Sequence, residues 1–246
     1  MASADSAQAH SALVFGARNL GRAVIELLLA SGWSVAGVAR SQETLDGITA
    51  AGALALRADI TEQASVRDAV AQAADAHGRI DLVVNAASAY GGKRTGPFGG
   101  GPIAEADADA FDAWAAAPAR SAFSFLSGAG GYLLEQGHPA TLIQVTGGSS
   151  RRAMPGRGLW AAGAFGVRAI TQAAAQELRP QGIHVALLIV DAGIEPFSAA
   201  ERGDAPNQAA ADPPSLAEAV LFLAEQGPRA ATHELQVTPL AETWVP

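Results

Sequence analysis

An apolar run, Ala12-Leu13-Val14-Phe15, passes directly into Gly16-Ala17-Arg18-Asn19-Leu20-Gly21, and helix-forming residues follow from Arg22. Glycine permits a tight turn and close approach of a ligand to the backbone. A helix start adds free N–H groups and the positive end of a dipole. Together they suit a pyrophosphate. Any sharp strand-to-helix turn favours glycine, so the position carries the argument: first strand, first helix, and a second strand about twenty residues on. That second strand ends Val38-Ala39-Arg40-Ser41, with no acidic residue. A ribose 2′-hydroxyl is met there by a carboxylate and a 2′-phosphate by a cation. Arg40 supplies the cation, Arg18 is a second, and Arg forks onto phosphate. The expected ligand is NADP(H) in preference to NAD(H). The plain alternative is two ordinary surface arginines.

Groups that move protons are scarce. The chain has no Cys, one Lys (Lys93) and two Tyr, Tyr90 and Tyr132. Disulfides, thiolate nucleophiles and Cys-ligated metals are therefore excluded together. His10, His77, His138, His184 and His233 are scattered, with no metal-ligand spacing among them, so no metal is expected. Ser149, Ser150, Arg151 and Arg152 follow one apolar run, and Asp191 and Glu195 follow another. A Ser or Asp among these is a conceivable proton source. Solvated loop positions are the plainer reading for the Ser and Arg residues.

The elements that must position these residues alternate along the chain. Apolar runs lie at Ala12–Phe15, Ser34–Val38, Leu54–Leu56, Leu82–Asn85, Thr141–Val145, Val185–Val190 and Glu234–Val237. Helix-like segments lie near 20–31, 41–51, 62–77, 108–135, 160–178 and 215–226. Strand-helix alternation predicts an α/β, doubly wound parallel sheet with helices on both faces. Residues 1–10 are expected to be a disordered tail and 11–246 a single domain. Two stretches, 89–104 (rich in Gly) and 191–214 (polar), interrupt the rhythm after strands, where ligands of such sheets sit. The 246 residues carry a formal charge of −8, which disfavours nucleic acid as a partner. No apolar run approaches the roughly 18 residues of a membrane span. No leader pattern is visible at the N-terminus, and a cytoplasmic protein is expected.

Taken together, these motifs resemble the short-chain dehydrogenase/reductase family over about residues 11–240. GARNLGRA is similar to the family's glycine-rich turn, one residue shorter and without its middle glycine. VARS is similar to an NADP-preferring strand end, and Ala58-Asp59-Ile60 to the strand whose Asp contacts adenine. Leu82-Val83-Val84-Asn85-Ala86-Ala87 resembles the family's Asn-Asn-Ala-Gly motif. AAGAFGVRAITQAAAQELRPQGIHV resembles its long helix and sixth strand. The resemblance implies a Rossmann-type domain binding NADP through Gly16, Arg18, Asn19, Leu20, Gly21, Arg40, Asp59, Ile60, Asn85, Ala86 and Ala87. It also implies a homodimer or homotetramer built on the helices at 110–135 and 160–178.

The family reduces carbonyls with Ser, Tyr and Lys, assisted by an Asn. Tyr gives the proton, Lys four residues later lowers its pKa and holds the ribose, and Ser polarises the substrate oxygen. Carried over, Tyr falls at Trp160, Lys at Ala164, Ser at Gly147 and the helper Asn near Pro118. The Pro-Gly after strand six falls at Val190-Asp191, and the Thr that contacts nicotinamide at Glu195. Composition makes the same point without alignment: four residues before Lys93 stands Ala89, and Tyr90 is three before it. An indole N–H donates a hydrogen bond but is no acid near neutral pH. Catalytic residues are therefore unassigned. A pocket for a small-molecule ligand is expected around Thr146, Gly147, Trp160, Asp191 and Glu195. Three readings follow: an NADP(H) oxidoreductase with a non-standard proton donor, an NADP(H)-binding pseudoenzyme, and a structural dimer partner without cofactor.

Overall fold

The computed structural model describes residues 10–87, 96–198 and 207–242. The expected tail and the Tyr90–Lys93 pair thus lie outside the described residues, apart from His10. Seven parallel strands form one sheet in the order β3-β2-β1-β4-β5-β6-β9. They are β1 (Ser11–Phe15), β2 (Ser34–Ala39), β3 (Leu54–Arg57), β4 (Leu82–Asn85), β5 (Ala140–Gly147), β6 (Ile183–Val190) and β9 (Glu234–Val237). Every residue of β1 is buried, because helices cover both faces. Side chains alternate across a strand. Leu13 and Phe15 accordingly join Val83, Phe125 and Leu142 in one core, while Ala12 and Val14 join Leu28, Val84 and Leu216 in the other. This is a doubly wound, Rossmann-type domain.

The chain builds outward from β1 through β2 to β3, then returns to place β4 on the other side of β1. The strand order reverses between β1 and β4, and a crevice opens beyond their carboxyl ends. The helices that frame it are α1 (Leu20–Ala30), α2 (Gln42–Ala50), α3 (Gln63–His77), the short α4 (Ala108–Phe111), α5 (Ala117–Gln136), α6 (Gly158–Leu178) and α7 (Pro213–Ala224). Among the described residues, no helix is long and apolar enough to cross a membrane.

Two features depart from the sequence expectation. The helix expected across 108–135 is broken by a π-helical turn, Asp112–Ala116, between α4 and α5. Pro118 has no N–H for the carbonyl of Trp114 four residues back, so the regular α-helical bond cannot form there and the turn widens. The loop 191–214 contains a two-residue parallel pairing of β7 (Gly193–Ile194) with β8 (Ala210–Ala211).

The π-helical turn packs closely on α6. A Cβ on Gly163 would lie 2.6 Å from the Trp114 carbonyl oxygen and 3.0 Å from that of Ala115. Backbone cannot retreat as a flexible side chain would. Gly163→Ala is expected to destabilise the protein by roughly 1–3 kcal/mol, with Tm falling about 2–4 °C per kcal/mol. Gly227→Ala, where a Cβ meets nothing within 4 Å, serves as the control. Calorimetry showing equal Tm for both variants would contradict this packing.

Candidate functional site

A cleft of about 710 Å³ runs across the carboxyl ends of the strands. It extends from Arg40, Ser41 and Thr44 on the β2 side to Trp160, Ala164 and Ile194 on the β6 side. Its middle is the turn after β1. Gly16 has φ +84°, and a Cβ there would lie 2.5 Å from Ala87 Cα, so only glycine lets the two strand ends meet. Gly21 sits behind the lining, in the first turn of α1, where a Cβ would lie 2.5 Å from the Gly16 carbonyl oxygen. Ser41 and Asp212 cap α2 and α7 with side-chain hydrogen bonds, but Asn19 makes no such bond at the start of α1. Its Oδ1 is buried without a partner. The first N–H groups of α1 are thus left uncapped by any side chain at the cleft, an arrangement that favours an anion.

Two cations stand at the β2 end. Arg18 is exposed and lines the cleft with Arg40, whose side chain is 72% exposed. Arg40 Nη1 lies 3.5 Å from Asp59 Oδ2. Arg57, which the sequence reading passed over, braces this corner by donating to the Arg40 carbonyl and, at 2.7 Å, to Gln42 Oε1. Asp59 does not line the cleft; its neighbours Ala58, Ile60 and Thr61 do. The Asp59 carboxylate accepts from Thr61 N (3.0 Å) and Thr61 Oγ1 (2.8 Å). Burial raises its pKa, but the Thr61 bonds and the Arg40 charge outweigh that and hold it below the usual carboxylate range.

The floor is fixed by a buried amide pair. Asn85 donates from Nδ2 to Gln144 Oε1 (2.9 Å) and accepts from Ala87 N (3.0 Å), which sets the Asn85-Ala86-Ala87 turn. Gln144 donates in turn to the Val145 carbonyl at 2.7 Å. Sequence reasoning missed Gln144. Its signal was a polar residue inside an apolar strand, and the parallel register pairs it with Asn85.

The β6 half is different in character. Gly147, Trp160 and Ala164 all line it, with Thr146, Pro118 and Val190. Phe98 meets Trp160 edge-on at 4.0 Å between ring centroids, and Trp114 lies 5.0 Å from Phe98. Arg157 places its guanidinium carbon 5.3 Å from the centre of the Phe98 ring. Phe98 and Trp114 carried no sequence signal, since ring contacts between distant segments leave no spacing to read. Ser121, one turn beyond Pro118 on α5, also lines the cleft, and its buried hydroxyl has no partner.

The structure does not bring Asp191 and Glu195 to this cleft, although both were expected there. Asp191 is buried in a two-pronged ion pair with Arg152, at 2.5 and 2.9 Å, and accepts from Gln236 Nε2 at 3.2 Å. Gly148 makes room for it: a Cβ there would lie 1.8 Å from Asp191 Oδ1. Glu195 accepts from Asn207 N at 2.5 Å instead. Among the described residues lining the cleft, Arg18 and Arg40 are the only ionisable side chains; no Asp, Glu, His, Tyr or Lys is present.

Residues 10–197 match the family described as short chain dehydrogenase. The chain is 30% identical over 188 residues to the short-chain dehydrogenase/reductase eriH of Hericium erinaceus, covering 72% of this chain and 71% of that one. Among solved structures, it resembles an alcohol dehydrogenase from the archaeon Thermococcus sibiricus complexed with 5-hydroxy-NADP. The TM-score is 0.75 at 19% identity, covering 96% of this chain and 99% of that one. A metagenomic short-chain oxidoreductase in complex with NADP gives a TM-score of 0.73 at 22% identity, covering 96% and 100%. With the sheet order, the glycine turn and the crevice beside it, these matches lead to one conclusion: the chain belongs to the short-chain dehydrogenase/reductase family.

Proposed function

We propose that this chain binds NADP(H) in the cleft and is an atypical family member that lacks the usual acid–base set for carbonyl reduction. The observation that carries this reading is the lining itself: two arginines at one end and, among the described residues, no titratable proton donor at the other. Arg18 and Arg40 would hold the 2′-phosphate, and the uncapped start of α1 the pyrophosphate. Asn85, tied to Gln144 and Ala87, would keep the floor flat beneath the middle of the dinucleotide. Two solved neighbours are complexes with NADP or a hydroxylated NADP, which supports the same choice. The bound cofactor would supply hydride chemistry; Trp160 offers only an apolar face and a neutral N–H. Exposed Phe123 on α5 and Phe165 on α6 support pairing of these helices with a second copy of the chain.

Arg40→Asp should weaken NADPH binding by roughly tenfold or more, the worth of a hydrogen bond to a charged group. NADH binding should change much less. Fluorescence titration reads both, and equal affinity of the unaltered protein for NADPH and NADH would contradict the assignment. On a panel of aldehydes and ketones, NADPH consumption should be at least about 10³ slower than for a relative with the full Ser-Tyr-Lys set. Robust reduction by the unaltered protein, retained in Trp160→Phe, would show that a proton donor has been overlooked.

A further inference from the structure

The far wall of the cleft is made partly by chain that has left the sheet. Val190 ends β6, and Ala192, Gly193 and Ile194 beyond it line the cleft together with Thr146 and Gly147 of β5. The β5–β6 ladder stops at the pair Gly147 and Val190. Past it, among the described residues, Asp191 N donates to the Val237 carbonyl at 2.9 Å, and the backbone then pairs only at β8. Gly193 is exposed, and a Cβ there would meet nothing within 4 Å. Ala192 and Ile194 lean on the core only partly buried. So short a ladder leaves a segment prone to local opening. What crosses from this segment to β5 is the Asp191 side chain. Its carboxylate lies so close over Gly148 that a Cβ there would fall 2.3 Å from the carboxyl carbon. Arg152, just beyond that turn, grips both oxygens, and Gln236 of β9 donates to one of them. Arg151 in turn donates to Gln236 Oε1 at 2.9 Å. The ends of three strands thus meet at one buried carboxylate. A buried ion pair adds little net stability, because desolvation offsets the attraction; its better-attested use is to select one arrangement of the chain.

We propose that Arg152 is a positioning residue: through Asp191 it pins the chain leaving β6 to the end of β5, and so fixes the far wall of the cleft. The pinning concerns the chain alone; its bearing on a dinucleotide rests on the NADP(H) reading. Arg18 and Arg40 stand at the other end of the cleft, so loosening this wall should spare contacts made there. A ligand that spans the cleft would instead have to order the wall as it binds, at a cost in affinity. Arginine suits the task better than lysine. Its planar fork holds both carboxylate oxygens and so fixes orientation as well as distance. A second two-pronged pair supplies the comparison. Arg168 of α6 bonds both oxygens of Glu234 on β9 at 2.8 Å, and neither residue lines the cleft.

The test compares the unaltered chain with two double variants, Arg152→Met with Asp191→Asn, and Arg168→Met with Glu234→Gln. Each removes both charges of a pair, so none is stranded, and melting temperatures should change little. Hydrogen exchange of the ligand-free proteins, read by mass spectrometry, is the first measurement. In the first variant the amides of residues 190–194 should exchange at least about tenfold faster, the lower end of what a hydrogen bond to a charged group contributes. Those of β1 and β4 should not change, and in the second variant the 190–194 amides should match the unaltered chain. Titration should show NADPH bound roughly fivefold more weakly by the first variant, and adenosine 2′,5′-bisphosphate, which has only the adenine end, less than about twofold more weakly. Should that variant fail to fold, Arg152→Lys keeps the charge, loses the fork and should show the same confined loosening. Unchanged exchange over 190–194 overturns the proposal, and so does equal loosening in both double variants. Faster exchange with NADPH affinity intact overturns the positioning role while leaving the NADP(H) reading in place. If the unaltered chain binds neither ligand, the NADP(H) reading falls, and the exchange comparison still decides whether Arg152 pins the wall.

Discussion

The contact on which the site depends is the approach of Gly16 to the end of β4. The turn after β1 passes so close to Ala87 that a single methyl at Gly16 would overlap the Ala87 backbone. Gly16 also has a backbone angle that side chains disfavour. A larger residue would part β1 from β4 where the strand order reverses, and that is where the crevice forms. Gly16 N donates to the Val38 carbonyl on one side of the turn, and Ala86 N donates to the Phe15 carbonyl on the other. Asn85 then closes the corner through Ala87 N and Gln144. The start of α1 is aimed into the cleft by this set of contacts.

From that corner the cleft divides into two chemically unlike halves. Toward β2 it is cationic and exposed, with Arg18 and Arg40 at its rim and Arg57 bracing the backbone beneath. Toward β6 it is walled by Val190, Ile194 and Trp160, with Phe98 set edge-on between the Trp160 and Trp114 rings. Asp191, the carboxylate that follows β6, is committed to Arg152. Removing Arg152 would strand a buried carboxylate, so the pair ties the segment after β5 to the end of β6. Among the described residues that line the cleft, the ionisable groups thus gather at the β2 end, and none stands at the β6 end.

Much of this was legible in the sequence. Leu82–Asn85 and Glu234–Val237 stand as strands with the bounds expected, because short apolar runs between turn signals leave few alternatives. Gly16, Arg18, Arg40 and Trp160 reach one cleft because each sits at the end of a strand or the start of a helix, and the topology brings those ends together. Side-chain direction was not legible. Asp191 and Glu195 occupy the expected segment, but a hydrogen-bond partner distant in sequence turns each away. The π-helical turn was hidden by an Ala-rich stretch that reads as uninterrupted helix, although Pro118 marked the place. Ser121 carried no signal, since one serine in a helix is ordinary until its hydroxyl is found buried without a partner.

The central claim is the proposal that this chain keeps the nucleotide half of the site and lacks the family's Ser-Tyr-Lys set, at Gly147, Trp160 and Ala164. Restoring that set tests it most directly, by installing Gly147→Ser, Trp160→Tyr and Ala164→Lys together and following NADPH oxidation across a carbonyl panel. All three positions line the cleft, and Ala164 is itself buried, so folding of the variant is checked first by its melting temperature. The account predicts a rate at least about 10² above that of the unaltered chain, the smaller end of what positioned acid–base groups contribute. An unaltered chain that already turns over at the restored rate would contradict it. So would a folded, NADPH-binding triple variant with no gain.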